Sequence, residues 1–295
     1  LIDSLAPRQP DEEEEIKGPP AKAAFDAQGK PTKAAEGFAR NAGVPIESLE
    51  IRQDGKKEFV VARVRRAGQN AGVILSDLLP KLVASLTFGK SMRWNDSGVA
   101  FSRPLRWFVA LLGESIVPFE YAGVSAGRET RGLRPAGSPT LVIPDASAYV
   151  ATLKAHRITV EVAERRALIA AGSAKLAAQA GGEIPHDPTL LDEVTNLVEQ
   201  PQPILGRFDE AFLALPNDVL IAVMKKHQRY FPILSPAGKM LPAFVVIANG
   251  DHLDEALVRA GNEEVLRARF ADAAFFFNAD SSRKLEELLP RPVSY

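Results

Sequence analysis

The sequence predicts an α+β fold, and three observations lead there. Apolar residues recur with a helical period in some stretches and alternate with polar ones in others. The alternating stretches come in pairs around turn residues, as the strands of antiparallel hairpins do. Helices and strands do not follow one another in the β-α-β rhythm of a parallel sheet. A chain of 295 residues is long enough for two domains, or one large one, with a buried core. Residues 1–43 read as an extended acidic segment followed by a short helix. Residues 44–295 read as an α+β region, subdivided by a helical section near 145–200.

Each element has its own signal. The run "PRQPDEEEEIKGPP" carries a block of like charge closed by glycine and two prolines, which suits a solvated extended or loop segment. "TKAAEGFARNAG" reads as a short helix capped by Thr32 and ended by Gly43. "LEIRQDGKKEFVVARVRRAG" reads as a β-hairpin with Asp54-Gly55 at its turn. "GVILSDLLPKLVASL" is helical, with Pro80 kinking it or dividing it in two. Strand-like runs follow at "LRWFVALL", "SIVPFEYA" and "TLVIP". Helical periodicity returns over 146–156 and 160–180, where Gly181-Gly182 closes it. "TLLDEVTNLVEQP" is a further helix stopped before Pro201, and "PILGRF" is strand-like. Asn217 or Asp218 would cap "DVLIAVMKKHQ", after which "YFPIL" and "AFVVIAN" flank a "SPAGKML" turn as a second hairpin. The last helical stretches are "GNEEVLRARFADAAFFFNAD" and "SRKLEELL".

Composition limits the chemistry. Hydrophobic residues make up 46% and charged residues 25%, the balance of a soluble globular protein. The formal net charge is −1, so a site for a polyanion must be a local patch. Cysteine is absent, which removes disulfides, thiolate ligands and a cysteine nucleophile. No apolar run approaches the roughly 20 residues that span a bilayer, and no signal pattern opens the chain, so no membrane partner and a cytoplasmic location are expected. Neither G-x-x-x-x-G-K-[ST] nor G-x-G-x-x-G occurs; Gly127, Gly132 and Gly137 fit neither spacing. His156, His186, His227 and His252 are isolated, and His186 beside Asp187 does not make a coordination shell, so no metal site is expected. Without G-x-S-x-G, no catalytic residue is assigned.

Four basic clusters remain as candidates for RNA contact. Lys90, Arg93, Arg103 and Arg106 lie among Trp94, Phe101, Trp107 and Phe108. Arg128, Arg131 and Arg134 recur at three-residue spacing in a glycine-containing stretch. Lys225, Lys226 and Arg229, with titratable His227, stand at a helix-to-strand junction beside Tyr230 and Phe231, and "LRAR" supplies Arg267 and Arg269. Arginine forks suit phosphates, and aromatic faces suit unpaired bases. Each cluster also has a structural reading. Trp94 and Trp107 would be core residues with arginines snorkelling at the rim. Arg267 would pair with Glu263, and Arg269 with Asp272. Lys225 and Lys226 would simply complement a helix C-terminus. Composition leaves both readings open.

Taken in order, "KGPPAKAAFDAQGKPTKAAEGFAR", "KSMRWNDSGVAFSRPLRWFVALLG", "TRGLR", "MKKHQRYFPI" and "GNEEVLRARFADAAFFFNAD" resemble the beta subunit of bacterial glycyl-tRNA synthetase, over about residues 8–290. The resemblance implies a subunit of an enzyme of two alpha and two beta chains that joins glycine to its tRNA. ATP and Mg would be bound by the alpha subunit, with no cofactor in this chain. The beta subunit would contribute tRNA binding and assembly, with the alpha subunit and glycine tRNA as partners. In outline the region is also loosely similar to the editing-like module of phenylalanyl-tRNA synthetase beta chains. A hydrolytic editing domain acting on mischarged tRNA and a purely structural subunit-contact module are the alternatives.

Three departures from the family pattern stand out. No "E-x-G-T-E-E-L-P"-like motif precedes Leu1. The chain stops at Tyr295, before the His-Asp type and anticodon-binding domains, so it is expected to be the N-terminal half of a beta subunit. Where the family reads T-R-G-H-R-F, this chain has Leu133 and Pro135, while Arg131 and Arg134 persist.

Overall fold

In this computed structural model, residues 2, 4–26, 28–54, 57–250 and 254–282 are described. The chain forms two compact units that divide between Gly127 and Arg128, whereas the sequence suggested a boundary after residue 43. Both units mix helices with small, mainly antiparallel sheets, so the fold is α+β.

The first unit opens on strand β1 (Glu12–Pro20), the short helix α1 (Ala21–Ala24) and helix α2 (Lys33–Ala42). Thr32 caps α2 by accepting a hydrogen bond from the Ala34 amide, and Gly43 ends it at φ 68°, a backbone conformation that glycine adopts without steric cost. The expected hairpin is β2 (Glu50–Asp54) with β3 (Lys57–Arg66), antiparallel in register; Gly55 lies outside the described residues. Strand β3 is the centre of a sheet ordered β1-β3-β2. Ala24, Ala35 and Val60 are fully buried between the helices and this sheet, with Phe25, Phe38 and Leu49 packed around them. Gly18 belongs to this packing, since a Cβ there would meet the Phe38 ring at 2.6 Å.

The acidic run read as an extended or loop segment is strand β1. Its carboxylates face the arginines of β3 rather than bulk water alone. Glu15 pairs with Arg63 at 3.3 Å and Arg52 at 3.1 Å, Glu14 with Arg66 at 2.9 Å, and Asp11 with Arg65 at 2.9 Å. The Asp11 carboxyl is held below its ordinary range, first by the Gly68 amide that donates to it at 2.9 Å and then by Arg8 and Arg65, against the opposing effect of burial. Opposite charges across strands stabilise a sheet modestly per pair.

Helix α3 (Ala71–Ser85) follows, capped by Asn70, and it runs unbroken through Pro80. Residues 86–107 form no regular element of their own. The expected strands beyond them are short: β4 (Phe108–Val109), β5 (Leu111–Leu112), β6 (Ser115–Ile116), β7 (Glu120–Tyr121) and β8 (Val124–Gly127). β8 pairs parallel with β4 and antiparallel with β7.

The second unit begins with the pair β9 (Glu129–Arg131) and β10 (Thr140–Val142), then helix α4 (Tyr149–Ala155). Leu133, Leu141, Leu153 and Ile158 bury a small apolar cluster among them. Helices α5 (Val162–Gln179) and α6 (Pro188–Thr195) precede strand β11 (Pro201–Arg207). α6 is shorter than its sequence suggested, because Asn249 Oδ1 accepts from the Glu199 and Gln200 amides and turns the chain into β11. Helix α7 (Asn217–Val223), strands β12 (Phe231–Leu234) and β13 (Met240–Asn249), and the long helix α8 (Glu255–Ser281) complete the unit. Neither Asn217 nor Asp218 caps α7; the chain enters it at Pro216 without a side-chain cap. Most of "SRKLEELL" lies outside the described residues.

The sheet β11-β13-β12 is the centre of this unit, and the alternation along β13 explains how both its faces are covered. Ala243 and Val245 point to a core shared with Ile169 and Ala177 of α5 and Leu190 and Val194 of α6. Phe244 and Val246 point to the opposite core, with Leu220, Met224, Leu266 and Phe270. A strand buried on both faces reads as an almost continuous apolar run, as "AFVVIA" does. Two of the segments that carry the family resemblance therefore meet in one core. Tyr230 stacks on Phe244 with ring centroids 4.8 Å apart, and its hydroxyl donates to Asn262 Oδ1 at 2.5 Å. Burial pushes the Tyr230 phenol up to about 12, so it stays a donor across the working pH range.

Candidate nucleic-acid interface

The loop of residues 86–107 collects four cations, Lys90, Arg93, Arg103 and Arg106, against one carboxylate, Asp96. It is irregular yet well tied. Met92 and Phe101 exchange backbone hydrogen bonds at 2.8 and 3.1 Å. The Phe88 and Phe101 rings meet edge to face at 4.5 Å, and Asn95 Nδ2 donates to the Ala122 carbonyl at 2.8 Å. These ties fix the backbone while leaving the charges outward. All four cations are exposed, and among the described residues none of them makes an ion pair. Arg93 spends one donor on the Gly98 carbonyl at 3.0 Å, which orients the rest of its fork. Arg106 lies over the Trp107 ring at 5.7 Å, and Trp107 is 41% exposed. Trp94 is half-buried, and neither tryptophan belongs to a core cluster, contrary to the core reading of both rings.

The cations after α7 are held differently. The helix widens into a π-type turn over Met224–Gln228, closed by Arg229 in the left-handed conformation at φ 56°. A non-glycine residue there is strained, and three contacts offset the cost. Arg229 Nε donates to Glu193 Oε1 of α6 at 2.8 Å, while its Nη1 reaches the carbonyls of Lys226 and His227 at 3.5 and 3.4 Å. Lys225 pairs with Asp187, whose other oxygen caps α6 by accepting from the Leu190 amide at 3.0 Å. Burial raises the Asp187 pKa, but the Lys225 hydrogen bond and charge with the Leu190 and Thr189 amides outweigh it, and the net shift is downward. Below the turn Met224 and Leu220 are fully buried. Lys226 and His227 remain exposed on its outer side.

The other candidates sit on separate elements of the second unit. Arg128 Nη1 donates to the Pro144 carbonyl at 2.9 Å and Arg131 Nη1 to Thr140 Oγ1 at 2.5 Å, both within the β9–β10 hairpin, while Arg134 is exposed in the turn between. Leu133 is only 2% exposed, in the apolar cluster with Leu141, Leu153 and Ile158, so in this chain the position packs a core and presents nothing to solvent. On α8, Arg267 pairs with Glu264 at 2.5 Å rather than with Glu263, whose carboxylate instead accepts from the Arg207 amide at 2.8 Å. Arg269 is exposed and makes no ion pair with Asp272 among the described residues.

A cleft of about 480 Å³ opens in the second unit between α5, the loop 182–187 and α6. Its walls are largely apolar, from Ile169, Ala174, Ile184 and Leu191, with His186 and Asp187 at one side. Asp187 is committed to Lys225 and to the α6 cap, while Glu183 also lines the cleft. Among the described residues no group of three His, Asp or Glu side chains could hold a metal; His252 lies outside them. Among the described residues no helix is long and apolar enough to cross a membrane.

Fold and surface define an α+β protein with a tied, cationic, aromatic loop on one unit and ion-paired junctions on the other. The chain belongs to the glycyl-tRNA synthetase beta subunit family, whose model matches residues 1–292. It is 44% identical over 284 residues to the glycine–tRNA ligase beta subunit of Desulforamulus reducens, covering 96% of this chain and 41% of that protein. With the beta subunit of Moorella thermoacetica it shares 43% identity, over 98% of this chain and 42% of that protein. With a chloroplastic/mitochondrial glycine–tRNA ligase of Arabidopsis thaliana it shares 46%, over 97% of this chain and 27% of that protein. The chain thus spans about two fifths of the length of the bacterial relatives it matches.

Proposed function

We propose that this chain is a tRNA-binding and assembly region of a glycine–tRNA ligase beta subunit, serving ATP-dependent glycylation of tRNA at an adenylate-forming site in an alpha subunit. The RNA-binding part of the reading rests on one observation: the loop of residues 86–107 holds four exposed cations outside any ion pair among the described residues. Phosphates are the ligands that such a set of guanidinium forks and an ammonium neutralise best. Family membership favours RNA as the polyanion and a companion subunit as the second partner. Helix α3, beside the loop in sequence, supports the assembly part. Leu78 and Leu82 are exposed one turn apart on the helix, and Leu86 is exposed just past its end, the kind of apolar patch that a protein partner covers.

The experiment titrates the chain with glycine tRNA at several salt concentrations and, separately, with the alpha subunit. Affinity for tRNA should fall steeply as salt rises. ATP–pyrophosphate exchange with glycine should stay at background until alpha subunit is added. Binding that ignores salt, or exchange by the chain alone, contradicts the proposal.

A further inference from the structure

We infer that the loop of residues 86–107 takes unpaired RNA, nucleotides whose bases are splayed out of a helix, rather than the backbone of a duplex; the inference rests on the reading that this loop meets RNA. A duplex presents phosphates and ribose but keeps its base faces stacked on one another, so a surface built for it needs cations alone. This loop carries exposed apolar and aromatic groups interleaved with its cations. Trp107 is exposed beneath Arg106, and Phe88 and Met92 are exposed to a similar degree. Phe88 has one side committed to Phe101, which fixes the ring while leaving it open to solvent. Against a duplex these faces would stay in water. Against a single strand they provide stacking platforms at the places where Lys90, Arg93, Arg103 and Arg106 meet the phosphates. The arrangement of Arg106 over an indole prepares one such step, because a base can extend the stack. Backbone ties at Met92 and Phe101, and the Asn95 bond to the Ala122 carbonyl, hold the platforms in place before RNA arrives.

The test uses the 295-residue chain with two labelled probes: octauridylate, and an RNA hairpin with a blunt stem closed by a tight tetraloop. The wild-type chain should bind octauridylate at least several-fold more tightly than the hairpin, with quenching of tryptophan fluorescence. Trp107→Ala should lower octauridylate affinity by roughly 5- to 100-fold without changing its salt slope, and Trp107→Phe should restore most of the loss. Circular dichroism checks that both variants fold. Equal affinity for the two probes in the wild type overturns the inference, whatever the variants do, yet leaves RNA binding by the loop intact. A folded Trp107→Ala variant with unchanged affinity also overturns it. Failure to bind glycine tRNA, octauridylate or the hairpin removes the underlying reading itself.

Discussion

The loop of residues 86–107 and the turn of residues 224–229 look alike on paper, each a short stretch of cations beside aromatic rings. The folded chain treats them in opposite ways. In the turn, Lys225 reaches the Asp187 cap of α6 and Arg229 reaches Glu193 on that helix, and the aromatic neighbours Tyr230 and Phe231 are buried in two cores. In the loop, the cations keep their charges for solvent and Trp107 stays partly in water. What separates the two is the neighbourhood. Asp187 caps α6 and Glu193 lies on it, both within reach of the turn, whereas Asp96 is the one carboxylate within the loop. A cation already paired gains little from a phosphate, since it must first give up its partner; an unpaired one gives up only water.

Breaking the turn from below should have the largest effect. Met224 is fully buried under it, so Met224→Ala should lower the unfolding free energy by about 2–5 kcal/mol, read from urea titration. Asp187→Ala removes the α6 cap together with the Lys225 pair, and should cost about 1 kcal/mol by the same measurement. Asp187→Asn keeps a capping oxygen and should cost less. Arg229→Gln breaks a half-exposed pair with Glu193 and should cost under about 1 kcal/mol, fading as salt is added. The smallest effect is in pH. Asp187 is held below its ordinary value of 3.8, so its ionised form stabilises the fold at neutral pH, and that contribution is lost as pH falls through the lowered value. The stability gap between wild type and Asp187→Asn should therefore be flat from neutral pH down to about 4 and close below it.

Some local signals, set by single residues, were legible, though the expected cap at Asn217 or Asp218 was not formed. Thr32 and Gly43 bound their helix, β2 and β3 pair as the expected antiparallel hairpin, and β12 pairs with β13 around residues 235–239 of the "SPAGKML" turn. What escaped depends on partners distant in the chain. The acidic run is extended and exposed as read, but its pairing into a sheet escaped because the arginines come some 50 residues later, as the Glu15 bond to Arg63 shows across 48 positions. Glu193 stands 36 residues before Arg229, and nothing near either one announces the pair. Arg267 lies within reach of both Glu263 and Glu264, and the choice fell to Glu264 because the Arg207 amide uses Glu263. Composition singled out the loop cations and the turn cations alike; what distinguishes them is that the loop cations make no ion pair among the described residues, which only the packed structure displays.

The central claim is that the loop cations, and not the turn cations Lys225 and Arg229, neutralise RNA phosphates. The most direct measurement compares the salt dependence of glycine tRNA binding for two folded double variants, Lys90→Gln with Arg103→Gln and Lys225→Gln with Arg229→Gln. The loop variant should flatten the slope of log affinity against log salt by about 0.7–0.9 for each lost contact, while the turn variant should keep the wild-type slope with somewhat reduced stability. An unchanged slope in the loop variant, or an equal flattening in both, would contradict the account.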